Sequence, residues 1–139
     1  EAEIKEAFDA FTGEFEQLPP MVSAIKMDGV PLYKLARKGQ EVERKLRPVK
    51  VSGYEITRIA LPEVDFRVHC TKGFYVRTYA NDIGEKLGCG AHLSALRRTN
   101  SGKFTLDRSV TVAQLKEADP EVLMKALISL AEISLMRGA

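Results

Sequence analysis

Two periodicities of apolar positions, near 3.6 and near 2, alternate along this chain, and their boundaries divide it into elements. Ile4, Ala7, Phe8 and Phe11 fall at i, i+3, i+4 and i+7, which predicts a helix over 2–11 ended by Thr12-Gly13. Glu14 to Leu18 alternates as a short strand would. Pro19-Pro20 excludes both helix interior and central strand, so the segment through Lys26 should be stiff and extended, with a turn at Asp28-Gly29. Pro31 opens a short helix over 32–39, with cations in its last turn and Gly39 as its stop.

Period two begins at Val49 and predicts a long strand to Leu61, with an irregularity near Ser52-Gly53. After a tight connection at Leu61-Pro62-Glu63, Val64, Phe66 and Val68 mark a half-buried strand, the antiparallel partner of the first. Val76, Tyr79, Ala80, Ile83 and Leu87 return to helical spacing, and Gly88 ends that helix. His92 to Thr99 reads as a strand, Asn100-Ser101-Gly102 as a turn and Lys103 to Leu106 as a further strand. Thr111 caps a helix through Ala118. Asp119-Pro120-Glu121 begins another, whose apolar face is Val122, Leu123, Ala126, Leu127 and Leu130. The fold class is α+β, a mostly antiparallel sheet with helices packed on it.

Composition adds a charge asymmetry. The chain has 139 residues, 45% of them hydrophobic, which suffices for one domain with a real core, and a net charge of +2. That small net charge hides two basic blocks: eight Lys/Arg against three Asp/Glu over 26–50, and seven against two over 67–103. A polyanion-facing surface and plain solvated faces both fit this distribution. Region 19–47 is polar, punctuated by Gly and Pro and poor in core residues, and so reads as an excursion that should be mobile without a partner. Two cysteines 19 positions apart fit a reducing cytoplasm rather than a disulfide framework. No apolar run approaches the ~20 residues that span a bilayer, and no secretory leader is visible. The start at Glu1, inside a helical pattern, fits a fragment of a longer protein.

The densest chemistry lies where the second strand gives way to a helix, over His69-Cys70-Thr71-Lys72-Gly73-Phe74-Tyr75-Val76-Arg77-Thr78. In extended geometry Tyr75 and Arg77 project to one side. Tyrosine offers a flat face for a base, and a cation at a helix entrance opposes the dipole unless an anion compensates. Spacing alone also fits a core aromatic beside a surface charge. Lys72-Gly73 fits an anion contact or a simple turn. On a strand, Leu96 and Arg98 would share a face, an apolar floor beside a positive rim. Zinc held by His69, Cys70, Cys89 and His92 is a weaker alternative to buried thiols and hydrogen-bonded histidines. Asp82 and Glu85, at i and i+3, are expected to face solvent. No Ser-His-Asp set, phosphate loop or dinucleotide fingerprint occurs.

Longer motifs carry a resemblance. Gln17-Leu18-Pro19-Pro20-Met21-Val22-Ser23-Ala24-Ile25-Lys26 and Pro31 to Gly39 look like the RNA-gripping insertion of the bacterial TruB family, pseudouridine synthases acting on the tRNA T-arm loop. Lys72 to Thr78, Asp82 to His92 and Leu96-Arg97-Arg98 resemble later motifs of that family, in the same order. The resemblance implies a partial pseudouridine-synthase catalytic domain over 1–139, with a basic thumb at 19–47. It implies cofactor-free isomerisation of a flipped uridine by an aspartate nucleophile. Arg77 would pair with that aspartate, Tyr75 would contact the base and Leu96 would line its pocket. Lys26, Lys34, Arg37, Lys38, Lys72 and Arg98 would contact RNA. No metal, small-molecule cofactor or membrane is implied. The family's nucleophile motif would lie in a missing N-terminal half, and its C-terminal RNA-binding module is also expected to be absent. The fragment alone should therefore be inactive. The alternative is a non-catalytic RNA-binding module that keeps the thumb and basic floor.

Overall fold

The structure, a computed structural model, describes residues 1–27 and 29–137. Two compact units divide the chain, Glu1–Ser94 and Ala95–Ala139.

The first unit is built on a three-stranded antiparallel sheet in the order 13–17, 47–60, 63–70. Helix α1 (Ala2–Ala10) precedes β1 (Gly13–Gln17). A small hairpin of β2 (Lys26–Met27) and β3 (Val30–Pro31) leads into α2 (Leu32–Ala36). Strands β4 (Arg47–Ala60) and β5 (Glu63–Cys70) form the predicted long hairpin, and α3 (Val76–Leu87) follows. The strand begins earlier than the sequence pattern indicated, because Arg47 pairs with Gln17 and Pro48 with Glu16 across β1. Asp28, half of the expected turn, lies outside the described residues.

Strand β4 has two register shifts against β5, between Val51 and Gly53 and between Ile56 and Arg58. Each extra residue returns the apolar side chains to one face. Val51, Tyr54, Ile56 and Ile59 thus join Val64, Phe66 and Val68 in one cluster beneath α1 and α3. Phe8 of α1 packs on Tyr54, Phe66 and Tyr79 at centroid distances of 5.0, 5.1 and 5.7 Å. Tyr79 of α3 is fully buried and also meets Phe74 at 5.3 Å. Burial holds its phenol well above the ordinary tyrosine range. The polar edges pair across strands on the surface, as Arg58 does with Asp65 at 2.7 Å and with Glu63 at 2.8 Å. Exposed pairs of this kind add little stability, so the aromatic cluster carries the fold.

After α3 the chain turns back at Gly88, and the N–H groups of Cys89 and Gly90 both donate to the Gly84 carbonyl, at 3.2 and 3.0 Å. A Cβ at Gly84 would collide with the backbone of Gly90 and Ala91. Gly84→Ala in an ordinary helix would gain about 1 kcal/mol from propensity. Here overpacking against backbone, typically ~1–3 kcal/mol, outweighs that gain, so thermal unfolding should show net destabilisation. An unchanged or higher melting temperature contradicts the packing.

The second unit holds a hairpin of β6 (Asn100–Ser101) and β7 (Phe104–Thr105), then α4 (Val112–Glu117), α5 (Pro120–Ala126) and α6 (Leu130–Arg137). Thr111 caps α4 in a reciprocal capping box with Gln114. Two expectations fail in this part of the chain. Residues 92–99 form no strand, and the hairpin that does form turns at Gly102-Lys103. The expected face from Val122 to Leu130 is not one buried helical stripe. Helix α5 stops at Ala126, and Val122, Leu127 and Leu130 are exposed. Among the described residues, no helix is long and apolar enough to cross a membrane.

Candidate functional site

The β5–α3 junction is fixed from several sides. Beyond Cys70, Thr71 continues the ladder: its N–H donates to the Lys50 carbonyl, and its Oγ1 accepts from the Lys50 N–H, both at 3.0 Å. Gly73 adopts φ of 83°, a left-handed turn that favours glycine, and sends the chain into α3. Phe74 enters the aromatic cluster against Phe15 and Tyr79. Phe74, and not Tyr75, is therefore the core aromatic of the junction. Tyr75 is half-buried and occupies the cap position of α3, with φ −112° and ψ 103°.

Arg77 lies inside the first turn of α3, so it and Tyr75 are not two residues of one extended strand, as their spacing implied. Its guanidinium is exposed, and one Nη donates to the Val22 carbonyl at 2.7 Å. That bond joins the helix entrance to the segment following Pro19-Pro20. A carbonyl neutralises no charge, so the guanidinium keeps its full charge and further donors for an anion.

Gln17, which alternation placed at the end of a short strand, is 2% exposed. Its side chain bonds both backbone groups of Tyr75: the Tyr75 N–H donates to Oε1 at 2.8 Å, and Nε2 donates to the Tyr75 carbonyl at 3.1 Å. The signal was available, since Gln17 shares the inward face of β1 with Phe15, and a polar residue there needs internal partners.

Lys72 and Gly73 line an open cleft of about 350 Å³ with Arg47, Pro48 and Val49. Arg47 lies in the basic block over 26–50, and the β4–β5 ladder, which Thr71 extends to Lys50, is what brings it toward Lys72. In the excursion, Leu32 is buried, its N–H donates to Ile25 at 2.8 Å, and that of Tyr33 donates to Ser23 at 3.1 Å. These backbone bonds tie the two halves of the segment together. Arg44 closes the base of the excursion by donating to the Pro19 carbonyl at 3.0 Å. Lys26, Lys34, Arg37 and Lys38 are exposed, and Arg37 stacks over Tyr33 at 5.4 Å. Helix α2 is shorter than expected, so Arg37 caps it and Lys38 sits in the turn beyond.

Leu96 and Arg98 belong to the second unit; both are exposed and lie in irregular chain, so the shared strand face expected for them is lost. Cys70, Cys89, His69 and His92 are exposed too, which removes the picture of buried thiols. His69 and Cys70 are consecutive in β5 and point to opposite faces, and no group of three or more metal-ligating side chains occurs among the described residues. Asp82 is half-buried rather than solvent-facing. Burial lifts its carboxyl above the ordinary carboxylate range, Glu85 adds to the rise, and a bond from Asn81 opposes it.

Comparison with known proteins gives a consistent result. A family model described as TruB family pseudouridylate synthase (N terminal domain) matches residues 1–76. A second, described as tRNA pseudouridylate synthase B C-terminal domain, matches residues 77–133. The tRNA pseudouridine synthase B of Opitutus terrae is 56% identical over 128 residues, covering 92% of this chain and 53% of that protein. The protein of the same name from Geobacter sulfurreducens is 52% identical over 127 residues, covering 91% of this chain and 42% of that protein. The chain thus spans about half the length of these curated relatives. A chain in the crystal structure of a Cbf5-Nop10-Gar1 complex superposes with a TM-score of 0.74 at 32% identity, over 98% of this chain and 39% of that one.

Proposed function

Because this chain belongs to the TruB family of pseudouridylate synthases, we propose that it forms part of an enzyme converting a uridine in the tRNA T-arm loop to pseudouridine. The reaction breaks the bond from ribose C1′ to the base N1, turns the base and joins C1′ to C5, whose proton leaves to solvent while N1 takes one up. Atoms and electrons balance, so no redox partner or cofactor enters. Acting on a base requires it to be flipped out of the RNA fold. An aspartate supplied from outside residues 1–139 serves as nucleophile. Arg77 pairs with it and keeps it ionised and aimed, and Tyr75 contacts the flipped base; Leu96, in the second unit, carries the pocket-lining role that the family resemblance implies.

One observation carries this reading. The Arg77 guanidinium stands exposed at the mouth of the β5–α3 junction and is tied to the chain through the Val22 carbonyl. A permanent cation held in place with donors to spare is what a carboxylate partner requires. RNA binding is assigned to the thumb over 19–47, through Lys26, Lys34, Arg37 and Lys38, with Lys72 and Arg98 on the remaining surface and Arg47 added beside Lys72. The RNA-binding module without catalysis is the competing reading. Tritium release separates the two: a tRNA transcript labelled at uridine C5, incubated with the complete polypeptide, should lose label from the T-arm loop. Tight tRNA binding with no release would favour the binding module.

A further inference from the structure

We infer that Gln17 is a positioning residue for Tyr75, holding the residue that meets the target base without itself touching the RNA. The inference rests on the reading that Tyr75 contacts the flipped uridine.

Helix α3 receives no side-chain cap from Tyr75 itself. The buried amide of Gln17, in β1 and 58 residues away in sequence, instead bonds the backbone of the cap residue. The Tyr75 N–H is used on Gln17 Oε1, and the Tyr75 carbonyl accepts from both Gln17 Nε2 and the Tyr79 N–H, the latter at 3.0 Å. The N–H and both carbonyl lone pairs of this residue are therefore filled. Gln17 ends β1, where it pairs with Arg47 of the sheet. The Tyr75 backbone is thus referenced to the sheet instead of to the 71–74 turn before it. Its side chain remains half-buried and open to a ligand.

The clamp also sits at the root of the thumb. Leu18 and Pro19-Pro20 follow Gln17 directly, and beyond them the Val22 carbonyl receives Arg77. Residues 17–22 and 75–77 are stitched at two points across a stiff proline pair. Whatever sets the thumb root therefore sets Tyr75 and Arg77 together.

The test uses the complete polypeptide. Gln17→Leu keeps most of the volume and removes both bonds. It should lower kcat at saturating tRNA roughly 10–100-fold, the scale of a small misplacement at a reacting centre. KM for tRNA should hold, because the thumb cations are untouched. Amide exchange gives an activity-independent readout: the Tyr75 N–H should exchange about tenfold faster or more, while the Ile83 amide inside α3 stays protected. A normal kcat with a freed Tyr75 amide overturns the proposal. So does a raised KM at constant kcat, which would make Gln17 a support for the thumb alone. If Gln17→Leu opens the whole unit and Ile83 exchanges too, the near-isosteric Gln17→Glu decides. It keeps an oxygen opposite the Tyr75 N–H and loses the amide donor, so reduced kcat at constant KM supports the role and unchanged kcat overturns it. A wild-type protein without turnover but with a protected Tyr75 amide overturns the isomerase reading, and the amide distinguishes that failure from failure of the clamp.

Discussion

Arg77→Ala in the complete polypeptide should lower kcat for pseudouridine formation by about 10²–10³-fold, the range typical of losing one preorganised electrostatic partner at a reacting centre, and should leave tRNA affinity nearly unchanged. The difference between the two effects follows from position. Arg77 is exposed, bonds a single backbone carbonyl, and sits in the first turn of α3, where the helix dipole disfavours a cation. Removing it should therefore cost little folding stability, and a loss of activity reads as chemistry. Arg77→Lys keeps the charge but not the planar fork, so it should fall between wild type and alanine. Equal losses in turnover and affinity would make Arg77 an RNA-binding residue and remove its proposed partnership with a carboxylate.

The second large effect belongs to the thumb. Neutralising Lys34, Arg37 and Lys38 together removes three cations that the proposed function sets against phosphate, each worth roughly 0.7 in the slope of log affinity against log salt for single-stranded RNA. The slope should thus flatten by about 2, and tRNA binding should weaken most at low salt. These residues are exposed and bridge to no acid among the described residues, so the fold loses only the Arg37–Tyr33 stack, worth about 0.5–1 kcal/mol. An unchanged slope would place α2 away from phosphate.

Much of the first unit was legible because its apolar positions repeat with the period of the element that carries them. The β4–β5 hairpin and α3 followed from that, as did the irregularity near Ser52-Gly53. The second shift in β4 carries the same signature, an odd step from Ile56 to Ile59. Periodicity failed where burial was never local. His92 to Thr99 alternates well enough for a strand, but a strand needs a ladder partner, and none is present among the described residues. The break between α5 and α6 was written in Ser129-Leu130-Ala131-Glu132. There the Ser129 Oγ accepts from the Glu132 N–H at 3.2 Å, and the Glu132 carboxylate accepts from the Ser129 N–H at 3.0 Å. That capping box starts a new helix where an apolar stripe suggested one continuous helix.

At the site, residue types were legible and their geometry was not. The sequence marked Tyr75 and Arg77 as a pair on one extended face. In the structure, Tyr75 caps α3 while Arg77 reaches back to Val22 from its first turn. The Gln17 clamp could not be read from spacing, since its two halves are 58 positions apart. Only the oddity of a glutamine on an inward strand face hinted at it. Arg47 likewise comes to line one cleft with Lys72 only through the β4–β5 pairing.

Under the proposed function, residues 1–139 supply the arginine and the base contact of a uridine-isomerising site whose carboxylate comes from outside them. Tritium release from C5-labelled tRNA, run in parallel on residues 1–139 alone and on the complete polypeptide, tests it most directly. Release from the T-arm loop is expected with the complete polypeptide and none with residues 1–139. Turnover by residues 1–139 alone, or none by the complete polypeptide, would contradict it.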